Sequence, residues 1–182
     1  HHSRYAREDR HLLDQAIEAA FGRHAARQQG CVVVATQTVE QSLDIDADLL
    51  LTDLCPMDVL LQRIGRLHRH QRSRPAGYEQ PQVIVLTPAE RDLSTRLTPK
   101  GAARGAHGIG SVYDNLLLIE ATWQLLEQHT TLTIPDMNRL LVEGATHHER
   151  LDAIANARKE VWHTHRNTMI GTQSAHRQIA RQ

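Results

Sequence analysis

Gln62, Arg66 and Arg69 stand at i, i+4 and i+7 in the run Gln62-Arg-Ile-Gly-Arg-Leu-His-Arg-His70. A helix from about Asp58 to His68 is expected here, and this spacing would turn the three side chains to one face. Two guanidiniums and an amide then form a fixed donor array. Guanidinium is planar, permanently charged and bidentate, so the array suits the oxygens of a transferring phosphoryl group. That is the work of an arginine finger. The competing reading is a solvated basic helix face, which is what most charge runs are.

The segment that must position this array lies upstream. Cys31 to Ala35 is a short β-branched apolar run after Gly30, and residues 31–36 are expected to form a buried strand of a parallel sheet. Polar residues follow at once, from Thr36 and Gln37 to Ser42 and Asp44. In open α/β sheets, ligands bind beyond the carboxyl ends of the strands. A second apolar run, 48–54, is the next expected strand, and the arginine-bearing helix follows Pro56.

Thr36-Gln-Thr-Val-Glu-Gln-Ser-Leu-Asp44 resembles motif V of superfamily 2 helicases, and Gln62–Arg69 resembles motif VI, usually Q-R-x-G-R-x-G-R. His68 stands where that pattern commonly has its second Gly. The wording T-Q-T-V-E-Q-S-L-D-I-D, then T-D-L-C-P, then Q-R-I-G-R-L-H-R-H is similar to the CRISPR-associated DNA helicase-nucleases of type I systems, most closely type I-E. His2–Arg10 resembles the motif IV region of that family, and residues 134–143 resemble its segment after the motor.

The resemblance implies an ATP-dependent DNA helicase of CRISPR antiviral defence. ATP with Mg²⁺ would sit between two motor lobes, with the metal ligands on the first lobe. Arg69 and Arg66 would stabilise charge on the transferring phosphate, and Gln62 would orient the attacking water. Asp44 and Gly65 would lie against the nucleotide; for Asp44 a helix N-terminal cap is an equal alternative. Thr36, Gln37, Ser3 and Arg4 would grip the backbone of single-stranded DNA, although Ser3 and Arg4 also read as a frayed terminus. Glu40 is a candidate link between DNA groove and ATP cleft. Implied partners are the first RecA-like lobe, a nuclease domain and the RNA-guided surveillance complex with its R-loop. No phosphate loop G-x-x-x-x-G-K-[ST] occurs here, nor an Asp-Glu pair after an apolar strand. The chain therefore reads as a motor fragment, inactive alone. A non-catalytic adaptor and a lobe of a helicase outside CRISPR defence are the alternatives.

The element pattern is α/β: a RecA-like parallel sheet flanked by helices over 1–110, then an all-helical extension over 111–182. A helix is expected over 9–27, with Leu12, Leu13, Ile17, Ala20 and Phe21 as its buried stripe and Gly22 near its end. Residues 83–87 read as a third buried strand, and 88–110 as an exposed, mobile excursion. Helices follow over 112–130, from Pro135, and over 150–165, with a frayed tail after Met169.

Composition bounds the remaining possibilities. The 182 residues carry 21 basic and 21 acidic side chains, so the chain lacks the excess positive charge of a free-standing nucleic-acid binder. Aromatics make up 3%, too few for base stacking to dominate DNA binding. Cys31 and Cys55 are expected as buried free thiols in adjacent strands, in keeping with a reducing cytoplasm. No apolar run approaches the roughly 20 residues that span a bilayer. The close pairs among the 13 histidines lack the cysteine or acidic partners of a zinc site, so no metal site is expected. The basic tract Arg66–Arg74 is a further candidate for DNA phosphates.

Overall fold

The computed structural model describes residues 6–26, 30–36, 43–105, 108–158 and 160–180. Its elements are α1 (Arg7–Phe21), β1 (Leu49–Asp53), α2 (Met57–Ile64), β2 (Gln82–Leu86), a 3₁₀ turn (Ser94–Arg96), α3 (Leu116–Gln128), α4 (Asn138–Thr146), α5 (His148–Arg158) and α6 (Glu160–Ile179). They fall into two compact units, one drawn from His1–Thr52 with Leu61–Ile84, the other from Asp53–Leu60 with Val85–Gln182. Among the described residues no helix is long and apolar enough to cross a membrane.

β1 and β2 are neighbours in a two-stranded parallel sheet. Parallel strands need a crossover, and α2 supplies it. The Leu54 N–H donates to the Leu86 carbonyl at 3.0 Å and extends the ladder past the end of β1. The third expected strand exists as β2, but Ile84 and Leu86 are exposed rather than buried.

In the first unit, α1 begins with Glu8 and Asp9, which favour its positive N-terminal end. Ile17 and Phe21, four residues apart, pack with Leu43 and Ile45. Leu12, expected in that stripe, lies off the face and is exposed. Gly22 ends α1 at φ −69°, so left-handed freedom is not what this position needs. A Cβ there would collide with the Glu18 carbonyl oxygen, and close approach is what requires glycine. The Gly22–Ile45 bridge and the Asp46 N–H donating to the Phe21 carbonyl at 2.9 Å tie the end of α1 to the segment before β1.

The strand expected over 31–36 does not form. Val32 is 82% exposed, and Cys31 is exposed rather than buried. Apolar β-branched residues make a strand only when a neighbour completes the ladder, and the sheet holds β1 and β2 alone among the described residues. Cys55 is buried, and neither cysteine forms a disulfide among the described residues.

In the second unit, α3 is buried on nearly every side from Leu116 to Leu125, the mark of a central helix. Asn115 caps it by accepting the Leu117 N–H at 3.2 Å. Leu141, Leu151, Ile154 and Trp162 complete the core. The helix expected over 150–165 is instead α5 and α6, and α6 stays helical well past Met169, where fraying was expected. The excursion expected over 88–110 is anchored through its described part. Leu93 and Leu97 are buried, the Asp92 carboxylate accepts the Ser94 N–H, and the Trp162 Nε1–H donates to Ser94 Oγ at 2.7 Å. Gly101, at φ +75°, presses on the α6 backbone at Thr164 and His165. His165, fully buried, has Nδ1 2.7 Å from the Gly101 carbonyl, while its Nε2 accepts the Leu116 N–H at 3.0 Å.

Candidate functional site

The site is the chain segment that leaves α2, together with the segment before β1; both lie in the first unit. α2 ends at Ile64, earlier than expected. The Gly65 N–H is taken by the Leu61 carbonyl, and the Arg66 and Leu67 N–H groups reach back three residues to the Arg63 and Ile64 carbonyls, a tightened last turn. His68 then adopts φ +46°. That left-handed step turns the chain, so Arg66 and Arg69 do not share a helix face with Gln62. The expected helical spacing is overturned. Left-handed φ is also the physical reason a glycine suits position 68, and histidine is among the side chains that tolerate it best.

The arginines meet nonetheless, through loop geometry. The Ala47 N–H donates to the Arg66 carbonyl at 2.8 Å, and the His68 N–H donates to the Ala47 carbonyl at 3.1 Å. This clamps the loop beside residues 43–48. The Arg66 Nη1–H donates to the Leu43 carbonyl at 2.6 Å. Arg69 Nε sits 2.7 Å from Asp44 Oδ1, in a pair whose side chains are 42% and 53% exposed. Burial and then the neighbouring Arg69 charge lower the Arg66 pKa, with Asp44 opposing. Arg66 stays cationic, but the direction records two like charges held close together.

Asp46 underlies the arrangement. Its side chain is fully buried. Oδ1 accepts the Arg69 backbone N–H at 2.9 Å and an Arg74 Nη2–H at 3.1 Å, and Oδ2 pairs with Arg72 Nε at 2.9 Å. Arg74 also reaches Asp48 Oδ1 at 3.0 Å and the His70 carbonyl at 2.6 Å. Burial works against the Arg74 charge, but the hydrogen bonds and charges of Asp46 and Asp48 outweigh it and raise the pKa. Arg72 and Arg74, expected within a DNA-facing basic tract, are therefore turned inward to carboxylates. Asp46 is the residue that sequence reasoning missed. Its signal was the Asp44-Ile-Asp46 alternation, in which only the first acid drew notice.

The other expected site residues are scattered. Gln62 and Gly65 are exposed on α2 and at its end, and Thr36 is exposed in the first unit. Gln37, Glu40, Ser3 and Arg4 lie outside the described residues. Among the described residues no group of three or more His, Cys, Asp or Glu side chains could hold a metal ion.

Residues 1–72 match the family model described as CRISPR-associated nuclease/helicase Cas3, C-terminal. The CRISPR-associated endonuclease/helicase Cas3 of Thermus thermophilus is 39% identical over 143 residues, 78% of this chain and 14% of that protein. The crystal structure of T. fusca Cas3 with ADP superposes with a TM-score of 0.68 at 33% identity, over 90% of this chain and 19% of that one. A structure described as a CRISPR RNA-guided surveillance complex, pre-nicking, contains a chain matched with a TM-score of 0.62 at 31% identity, over 91% of this chain and 21% of that chain. The chain thus spans about a seventh of the length of that Thermus relative. The resemblance to the CRISPR-associated helicase-nucleases extends from the motifs to most of the chain, in sequence and in fold.

Proposed function

We propose that this chain is the second, RecA-like motor lobe of an ATP-dependent superfamily 2 DNA helicase-nuclease acting in CRISPR antiviral defence in the cytoplasm, with the lobe over 1–110 and a helical linker over 111–182. The observation that carries the reading is the convergence of Arg66 and Arg69 beside Asp44. Two cations held close together, one on a rigid loop and one exposed, form a receptor for a polyanion.

ATP would lie against the other motor lobe, with Mg²⁺ held there, as the resemblance to superfamily 2 helicases implies. Arg69 would leave Asp44 and meet the charge that develops on the γ-phosphate, with Arg66 beside it and Gln62 orienting the attacking water. Asp44 and Gly65 would border the nucleotide. The Arg69–Asp44 pair is half-exposed, and such a pair is worth about 0–1 kcal/mol. A finger that contributes ~10³-fold supplies about 4 kcal/mol in the transition state. The parked position therefore does not oppose catalysis.

Thr36, with Gln37, Ser3 and Arg4, would hold single-stranded DNA through its phosphates. The nuclease domain and the RNA-guided surveillance complex would be the partners of the whole protein, a reading supported by the similarity to a chain in such a complex.

The test is Arg69→Ala in the full-length protein. DNA-stimulated turnover should fall by ~10³-fold or more, while ATP binding weakens far less, because the finger acts on developing charge. Near-normal turnover would remove the finger assignment and shift support to an adaptor role. The isolated chain should show no DNA-stimulated hydrolysis. Thr36→Ala should weaken single-stranded DNA binding with the salt slope nearly unchanged, since a hydroxyl neutralises no phosphate, whereas Arg4→Ala should lower the slope by ~0.7, the contribution of one neutralised phosphate. An unchanged slope and affinity would move the DNA groove elsewhere.

A further inference from the structure

His70 has a place beside the site that the proposed motor chemistry does not use. Its side chain is 10% exposed, and its Nε2 lies 3.3 Å from Asp44 Oδ1, the oxygen that Arg69 Nε also faces at 2.7 Å. At that distance the imidazole is close enough to hydrogen-bond but poorly aligned, and among the described residues this buried Nε2 has no hydrogen-bond partner. A buried polar atom left unsatisfied has a cost and calls for a physical reason. Catalytic hydrogen bonds are often misaligned in the free protein and tighten in the complex.

The two neighbours of Asp44 differ in freedom. The His70 carbonyl is held by Arg74, which is itself locked to Asp46 and Asp48. The Arg69 backbone N–H is held by Asp46, but its guanidinium is exposed. Only the Arg69 side chain is free to leave. Once it does, in a cleft that closes and expels water, the Asp44 carboxylate loses the guanidinium paired with its Oδ1, and Arg66, whose Nη1–H is given to the Leu43 carbonyl, remains as a neighbouring charge. The His70 imidazole, 3.3 Å from that oxygen, is then a donor within reach, with the proton on Nε2.

We propose that His70 is a positioning residue for the motor reaction: its Nε2–H takes over Asp44 Oδ1 when Arg69 departs for the phosphate, and so holds Asp44 in place beside the nucleotide. This rests on the reading of Arg69 as the finger. His70 touches neither nucleotide nor DNA and acts through Asp44.

The experiment compares His70→Ala, His70→Gln and Arg69→Ala in the full-length protein by DNA-stimulated ATP hydrolysis. His70→Ala should lower kcat about tenfold, the scale of one hydrogen bond to a charged group, with KM for ATP nearly unchanged. His70→Gln, which keeps a donor at a similar reach, should recover most of that loss. In an Asp44→Ala background His70→Ala should add nothing, since its route is gone. Should His70→Ala fail to fold, His70→Leu and His70→Gln carry the same contrast, because both fill the site and only Gln donates. Wild-type kcat in His70→Ala, failure of Gln to recover it, or an equal loss without Asp44 would each overturn the proposal. Near-normal turnover in Arg69→Ala would instead overturn the finger reading beneath it. A ~10³-fold loss in Arg69→Ala beside an unaffected His70→Ala sinks the inference alone.

Discussion

Asp46 and Glu120 are both fully buried, and each is held by two arginines. They do opposite jobs. Glu120 lies on α3 and accepts from Arg91 at 2.9 Å and Arg158 at 2.8 Å, with Gln124 one turn along the same helix at 2.9 Å. Its arginines come from a loop and from the end of α5, and they lie over Trp123 and Trp162. That carboxylate joins helices that packing has already formed. Asp46 lies outside any helix or strand, between the end of α1 and the start of β1. The two arginines that pair with it come from the single stretch 69–74, which has no regular secondary structure. There the buried charge takes the place of secondary structure as the scaffold. A helix-borne carboxylate adds stability to its surroundings, whereas a loop-borne one decides where a functional side chain stands.

Removing each carboxylate separates the two roles and should have the largest effect. Glu120→Ala removes the buried carboxylate that Arg91 and Arg158 share, while Arg91 keeps Glu127 and Arg158 keeps Asp92, so the loss should be about 1–3 kcal/mol, the scale of charged hydrogen bonds removed from a pair that retains other partners. The unfolding free energy of the second unit should fall by that amount. Asp46→Asn keeps the shape but removes the charge. In the full-length protein it should lower DNA-stimulated turnover far more than Glu120→Gln does at matched stability. Equal turnover losses in the two variants would erase the distinction.

A smaller effect sharpens it through pH. Burial lowers the His165 pKa below its ordinary 6.5, against the raising influence of the Gly101 hydrogen bond and the Asp114 charge. The unfolded chain therefore takes up the proton first. Stability from this group is complete above the unfolded value, falls as pH drops below 6.5, and levels off below the folded value. Protonation also removes the Nε2 acceptor that caps α3 at Leu116. The unfolding midpoint of the chain should fall on acidification through this window, and His165→Gln should flatten that segment of the profile. An identical profile in the variant would assign the pH dependence elsewhere.

The smallest expected effect concerns the turn that aims Arg69. Left-handed backbone costs a residue with a Cβ about 1–2 kcal/mol, and His68 adopts it. His68→Gly should relieve part of that cost, offset by the greater freedom of glycine in the unfolded chain, for a net gain of up to about 1 kcal/mol in denaturant unfolding. A loss of stability would mean that the partly buried imidazole contributes more than the turn costs.

The charged residues of the candidate site were legible in the chain because they are recognised by residue type. Arg66 and Arg69 stand out by their kind and spacing and Asp44 by the resemblance to motif V, and the structure brings the three together. The reason given for their meeting was wrong. A continued helix was expected, but the helix stops at Ile64 and a left-handed turn does the work. Periodicity reports only which face a helix would have, so it cannot foresee a helix that ends early. Asp46 was not legible for a related reason, since a lone acid is a solvated surface residue until tertiary contacts bury it.

The contrast between α1 and the 31–36 segment shows where the boundary lies. α1 was readable because a helix satisfies its backbone within itself, and its Ile17 and Phe21 stripe needs only a face to rest on. The Val32–Val34 run has the composition of a strand, but a strand borrows its hydrogen bonds from a neighbour. Charge, helix amphipathicity and the motifs present are local properties and can be read from the chain alone. Which carboxylate is buried, and which arginine is locked to one, emerges on folding, because burial and pairing belong to contacts between segments that local sequence does not encode.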